Sequence, residues 1–316
     1  MEKTDLKIIY MGTPDFAVAP LAALVEGGYQ VVACVTMPDK PAGRGHHVQF
    51  SPVKQYALEH AIPVLQPERL KDEAFLEQLR AYHADLQIVV AFRMLPEVVW
   101  SMPRLGTFNL HASLLPQYRG AAPINWAVIN GDKQTGVTTF FLKHEIDTGN
   151  IILQEEISIG EEENVGSVHD RLMAIGADLV CKTVDLIIES ETSGCPIPTT
   201  PQVESSDLRP APKIFKDTCR IDFTKTAAEV HNFVRGLSPY PAAWCNLQIG
   251  DKTIENVKVY AVKPSDGRSP LAQKTADGYV DILELQVPGK KRMAAKDFLN
   301  GLKVGSNNSH IRKDND

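Results

Sequence analysis

Asn109 and His111 stand two residues apart in FNLHASLLPQYRGAAP, an apolar stretch that runs straight into prolines. In a β-strand alternate residues share a face, so the amide and the imidazole point the same way, Leu110 points the other way, and Ser113 extends the polar row. An asparagine amide can donate to an oxygen on which negative charge builds. Histidine is the side chain best suited to moving protons near neutral pH. Downstream, HEIDTGNII puts Asp147 in an Asp-Thr-Gly turn between the strand-like runs VTTFFL and IILQEE. A carboxylate beside an imidazole can orient it or hold a water. Together the three suit transfer of an acyl group to an amine. Plainer readings stand beside this one. Asn109 can cap a strand, Asp-Thr-Gly can be only a turn, and Arg119 can be a surface ion pair as easily as a substrate contact. Trp126 and Trp244 read as core aromatics rather than base-stacking platforms.

The elements that must carry these residues follow from periodicity. LKIIYMG (6–12), YQVVACVT (29–36), IPVLQ (62–66), DLQIVVAF (85–92) and GTFNLHAS (106–113) read as strands. Between them, DFAVAPLAALVEGG (15–28), SPVKQYALEHA (51–61, after a Ser cap) and DEAFLEQLRAYHA (72–84) read as helices. This alternation predicts an α/β domain with a parallel-rich sheet and helices on both faces. Ligands of such sheets sit beyond the carboxyl ends of the strands, where FNLH meets its loop. The first turn, GTPDF, lacks the glycines of a dinucleotide fingerprint, and AGRG (42–45) neither follows a strand nor opens a helix. A nicotinamide-dependent enzyme is therefore disfavoured.

A helix over 168–190 leads into SGCPIPTTPQVESSDLRPAPK (193–213), whose five prolines predict a linker. Beyond it come a helix over 226–237 and four short strand candidates, AAWCNLQIG, NVKVYAVK, GYVDILELQVP and RMAAKDFLN, the pattern of a smaller OB-like β-barrel. The expected division is a catalytic domain over 1–190, a linker over 191–208, a barrel over 209–305 and a disordered polar tail over 306–316.

Charge divides along the same line. From Arg209 onward there are 18 Lys and Arg against 12 Asp and Glu, while residues 1–208 carry 15 against 27. A basic second domain on an acidic body can grip a polyanion. The 316 residues include five scattered cysteines with no C-x-x-C pair, which argues against a disulfide framework or a structural zinc site. No apolar run approaches a membrane span and no signal-peptide core opens the chain, so the expected address is the cytoplasm.

The long ordered string N-L-H-A-S-L-L-P-x-Y-R-G-A-A-P-I, with G-V-T and E-I-D-T-G after it, resembles the formyltransferases that use 10-formyltetrahydrofolate. PDKPAGRG (38–45), SPVK (51–54) and RPAPK…RIDF (209–223) resemble the branch of that family whose acceptor is methionyl-tRNA, and the likeness runs over nearly the whole chain. The resemblance implies a Rossmann-like formyltransferase domain followed by an OB-like one. It implies Asn109, His111 and Asp147 as the catalytic trio, and a folate site at Ser113, Leu114, Leu115 and Pro116. It places Arg44 on the acceptor end of the tRNA, and implies a monomer that needs no metal and serves translation initiation. Two departures stand out: His46 and His47 occupy positions where many relatives carry lysine, and Arg93 stands where glycine is usual beside the folate pocket.

Overall fold

The structure is a computed structural model that describes residues 2–42 and 47–308. It divides into two compact units, one made of residues 1–123, 134–158 and 169–212, the other of 124–133, 159–168 and 213–316.

In chain order the elements up to the first long helix are β1 (Lys7–Gly12), α1 (Val18–Glu26), β2 (Gln30–Val35), β3 (Lys40–Ala42), β4 (His47–Gln49), α2 (Pro52–Glu59), β5 (Val64–Leu65), α3 (Glu73–Ala81), β6 (Leu86–Val90), α4 (Glu97–Trp100), β7 (Thr107–His111), α5 (Pro123–Ile129), β8 (Gln134–Phe141), β9 (Ile151–Ser158) and α6 (Val165–Ser193). Seven strands form one sheet in the order β5-β2-β1-β6-β7-β8-β9. Pairing is parallel from β5 through β7 and antiparallel from β7 to β9. The sheet is thus Rossmann-like and parallel-rich, with an antiparallel edge in which VTTFFL pairs with FNLH and IILQEE pairs in turn with VTTFFL. β6 is buried along its whole length, as a central strand covered on both faces must be. Ile9, Met11, Val35, Leu76, Leu79, Val89 and Val99 form a core on one face. The strand order reverses between β1 and β6, which opens a crevice at their carboxyl ends.

The second unit holds α7 (Ala227–Leu237), β10 (Ala243–Ile249), β11 (Lys252–Ser265), β12 (Ala272–Lys274), β13 (Tyr279–Gln286), β14 (Met293–Ala294) and α8 (Ala295–Asn308). Its five strands pair antiparallel in the order β10-β11-β13-β12, with β14 on β13. Register shifts in β10 and β11 bend the sheet, which curls into an OB-like half-barrel. Val230, Val234 and Leu237 of α7 pack on Val257, Val259, Ile282 and Leu285 beneath it.

Several sequence expectations change. Residues 15–28 begin as a 3-10 turn, Asp15–Ala17, and the α-helix ends at Glu26. AGRG (42–45), expected to follow no strand, has paired flanks, since β3 and β4 pair antiparallel; Arg44 and His46 lie outside the described residues. RMAAKDFLN is not a strand beyond Met293–Ala294. Phe298 and Leu299 fall one turn after Ala294 and Ala295, and that helical spacing buries Phe298 in the half-barrel core. The expected disordered tail begins inside α8 and otherwise lies outside the described residues.

Candidate active site

β7 delivers Asn109 and His111 to the carboxyl end of the sheet. Asn109 is held in register by Val89 on β6 and Phe140 on β8, yet its side-chain amide is half-buried and has no hydrogen-bond partner among the described residues. His111 is 7% exposed, edge-on to the Phe140 ring. Its Nε2 lies 2.8 Å from the carbonyl oxygen of Tyr118. A carbonyl can only accept, so Nε2 carries the hydrogen, and Nδ1 is the nitrogen left to exchange a proton on the other side. That Nδ1 faces Asp147 Oδ2 at 4.0 Å. The separation exceeds a hydrogen bond and leaves room for a bridging water or a substrate proton.

The structure therefore brings Asn109, His111 and Asp147 to one strand end, although 36 residues separate His111 from Asp147 in the chain. Asp147 adopts a left-handed φ of 55°, and its Oδ2 accepts from the Gly120 N–H at 3.0 Å. Two residues on, Gly149 touches the sheet backbone so closely that a Cβ would lie 1.5 Å from the Phe141 carbonyl oxygen. Asp-Thr-Gly is thus a turn and also the support of a site carboxylate.

The segment 113–116 is tied down from beneath. The Thr138 hydroxyl donates to the Ser113 carbonyl (2.6 Å) and lies 3.2 Å from the Leu115 N–H, while Gln154 Nε2 donates to the Leu115 carbonyl (2.8 Å). Ser113 Oγ donates to the Gln117 carbonyl at 2.6 Å. Ser113 and Leu115 are buried; Leu114 and Pro116 are half-buried. Arg93 closes a neighbouring edge. Its guanidinium donates to the Glu68 carbonyl at 2.8 Å and to the Pro67 carbonyl, tying the loop after β6 to the loop after β5. Burial lowers its pKa from the ordinary arginine value. Arg119 pairs with Glu204 at 2.8 Å, so its ion-pair reading describes the molecule. Trp244 is half-buried, with its Nε1 donating to the Lys216 carbonyl. Among the described residues, no group of three or more His, Cys, Asp or Glu side chains could hold a metal.

Sequence reasoning missed Thr138, the Tyr118 carbonyl, the Gly120 N–H and Gln202. The first lies in the G-V-T run of the resemblance; a backbone carbonyl or amide leaves no mark on residue type.

A Rossmann-like sheet with Asn, His and Asp at one strand end, followed by a curled antiparallel sheet, suits transfer of an acyl group to an amine. The description "Formyl transferase" matches residues 6–184, and "Formyl transferase, C-terminal domain" matches 213–303. The chain belongs to the formyl transferase family. It is similar to the methionyl-tRNA formyltransferase of Bacteroides fragilis, 59% identical over 314 residues that take in 95% of this chain and 96% of that one. The same identity extends over 317 residues to the methionyl-tRNA formyltransferase of Parabacteroides distasonis, covering 96% of this chain and 98% of that one. In fold it is similar to HypX from Aquifex aeolicus in complex with tetrahydrofolic acid. That likeness has a TM-score of 0.60 at 17% identity and covers 92% of this chain and 46% of that chain.

Proposed function

We propose that this chain transfers the formyl group of 10-formyltetrahydrofolate to the α-amino group of methionyl-tRNA, giving the formylmethionyl initiator tRNA for translation initiation. The observation that carries the reading is the open Asn109 amide two residues before a His111 whose free nitrogen faces Asp147. It stands in a chain 59% identical to methionyl-tRNA formyltransferases. The folate supplies the formyl carbon. In this reading the amine nitrogen bonds to the formyl carbon and Asn109 donates to the formyl oxygen as charge builds on it; His111 Nδ1 takes the proton that the amine must lose and passes it toward N10 of the folate as the bond from the formyl carbon to N10 breaks. Asp147 orients the imidazole or a bridging water. Ser113, Leu114, Leu115 and Pro116 line the folate site.

In the same reading residues 1–190 are the catalytic domain, 191–208 the linker and 209–305 the part that grips the tRNA. Arg44 reaches the acceptor end, and the protein acts as a cytoplasmic monomer. Among the described residues no helix is long and apolar enough to cross a membrane. The runner-up is hydrolysis of the same folate to formate. Incubation with 10-formyltetrahydrofolate, with and without methionyl-tRNA, separates the two. Formyl-methionine on the tRNA is expected, with little formate when tRNA is absent. Rapid formate release indifferent to tRNA would overturn the transfer reading.

A further inference from the structure

Gln202 lies in the proline-rich stretch that the sequence marks only as a connector. Its side chain is nevertheless the most completely used amide around the site. Nε2 donates to the carbonyl of Asp147 and to that of Gly149, both at 2.8 Å. Oε1 accepts from Arg119 Nε at 3.0 Å and Nη2 at 2.8 Å. A primary amide has two hydrogens to give and two lone pairs to offer, and all four are engaged. The partners also fix its orientation, because carbonyls only accept and a guanidinium only donates. The residue is itself held in place: Thr200, two positions earlier, exchanges both backbone hydrogen bonds with Ile151 at the start of β9, each 2.8 Å.

The two carbonyls belong to the two ends of one turn, Asp147 and Gly149. That turn is pressed against the sheet on its other side, where Gly149 meets the Phe141 carbonyl. Arg119 sits between Tyr118, whose carbonyl holds His111 Nε2, and Gly120, whose N–H holds the Asp147 carboxylate. The backbone beyond Gln202 reinforces the second loop. The Tyr118 N–H donates to the Arg209 carbonyl at 2.7 Å, and the Ala211 N–H donates to the Arg119 carbonyl at 2.9 Å. One amide therefore joins the loop that holds His111 to the turn that carries Asp147.

We infer that Gln202 is a positioning residue for the reaction, acting through Asp147 by clamping the 147–149 turn to Arg119. The inference rests on the reading of Asp147 as part of the catalytic trio. It differs from a general stabilising role in what it predicts for kcat, for KM and for the coupling between the two sites.

The test is a double-mutant cycle on the full-length enzyme with methionyl-tRNA and 10-formyltetrahydrofolate. Gln202→Glu keeps the shape and the acceptor for Arg119 but turns an oxygen toward two carbonyls. Its kcat is expected to fall roughly 10- to 100-fold, the cost of a displaced reacting group, with the folate KM within about twofold. In an Asp147→Asn background, assayed by single turnover with enzyme in excess, the same change is expected to cost less than about twofold, because the group it positions is already gone. Gln202→Ala, which introduces no charge, is carried through the same cycle as a second variant. A kcat within twofold of wild type, an equal loss in the Asp147→Asn background, or a loss that tracks only the folded fraction would each overturn the inference. An Asp147→Asn enzyme with full turnover would instead sink the reading of the site on which it rests.

Discussion

The strand-end site and the surface lysines of the second unit treat polar groups in opposite ways. Around the strand-end site nearly every polar group is committed: His111 to a carbonyl, Asp147 to an N–H, Gln202 through four hydrogen bonds to three residues, Thr138 to Ser113, Leu115 and Gln154. Asn109 is the exception, with its amide left open. In the second unit Lys252, Lys258, Lys263, Lys274, Lys290 and Lys291 are all exposed, and among the described residues none has an ion-pair partner. In the proposed reading, with catalysis at the strand-end site and tRNA held by the second unit, the contrast follows from the two tasks. Stabilising developing charge requires donors fixed in place before the reaction, since reorientation during it costs rate. Attracting a polyanion requires only net charge at the surface, and exposed lysines supply it, with counterions released from the polyanion on binding.

The largest expected effect tests the fixed site. Asn109→Ala should lower turnover by roughly a hundredfold or more, the usual cost of losing one oxyanion donor, and leave tRNA affinity nearly unchanged. Initial rates at saturating folate check this; full activity would reduce Asn109 to a strand residue. A smaller effect tests the exposed charge. Changing Lys252, Lys258 and Lys263 together to Gln should weaken tRNA binding by about tenfold. The slope of log affinity against log salt should shrink by about one for each phosphate that no longer meets a lysine, with kcat at saturating tRNA within about twofold. A fall in kcat with affinity unchanged would break the division of labour drawn above.

The smallest effect concerns a part of the second unit that is built as rigidly as the site. Thr226 caps α7 in a reciprocal capping box, accepting from the Glu229 N–H at 3.2 Å while Glu229 accepts from the Thr226 N–H at 2.9 Å. Thr226→Ala should destabilise the protein by about 1 kcal/mol, read as a lower denaturation midpoint at pH 7. Backbone and side-chain hydrogen bonds from Thr226 hold the Glu229 carboxyl below its ordinary range. The contribution of that carboxylate is therefore present above about pH 4.3, the ordinary glutamate value. It is lost as the pH falls through the lower folded value. The gap between wild type and variant should narrow in acid; a gap that widens would contradict the pairing.

The elements and the three site residue types are legible in the residues alone. Alternation of apolar strand runs with 3.6-periodic helices is enough for a parallel-rich sheet, because each pattern buries one way only. Period two puts Asn109 and His111 on one strand face without reference to anything distant. Ser51 is legible as a helix cap for the same local reason, and it accepts the expected backbone hydrogen bond. RMAAKDFLN misled because a short apolar run fits either period until Phe298 is seen to be buried.

What holds the site together was settled by the path of the chain in three dimensions. The nitrogen of His111 that carries its hydrogen depends on a carbonyl seven residues away, and a carbonyl is present in every residue. That Asp147 meets the trio depends on β8 turning antiparallel beside β7. That Gln202 grips the Asp147 turn depends on a stretch whose composition says only that it is neither helix nor strand. Hydrogen bonds to backbone atoms and contacts across long loops are set by where the chain passes, and residue type does not encode that path.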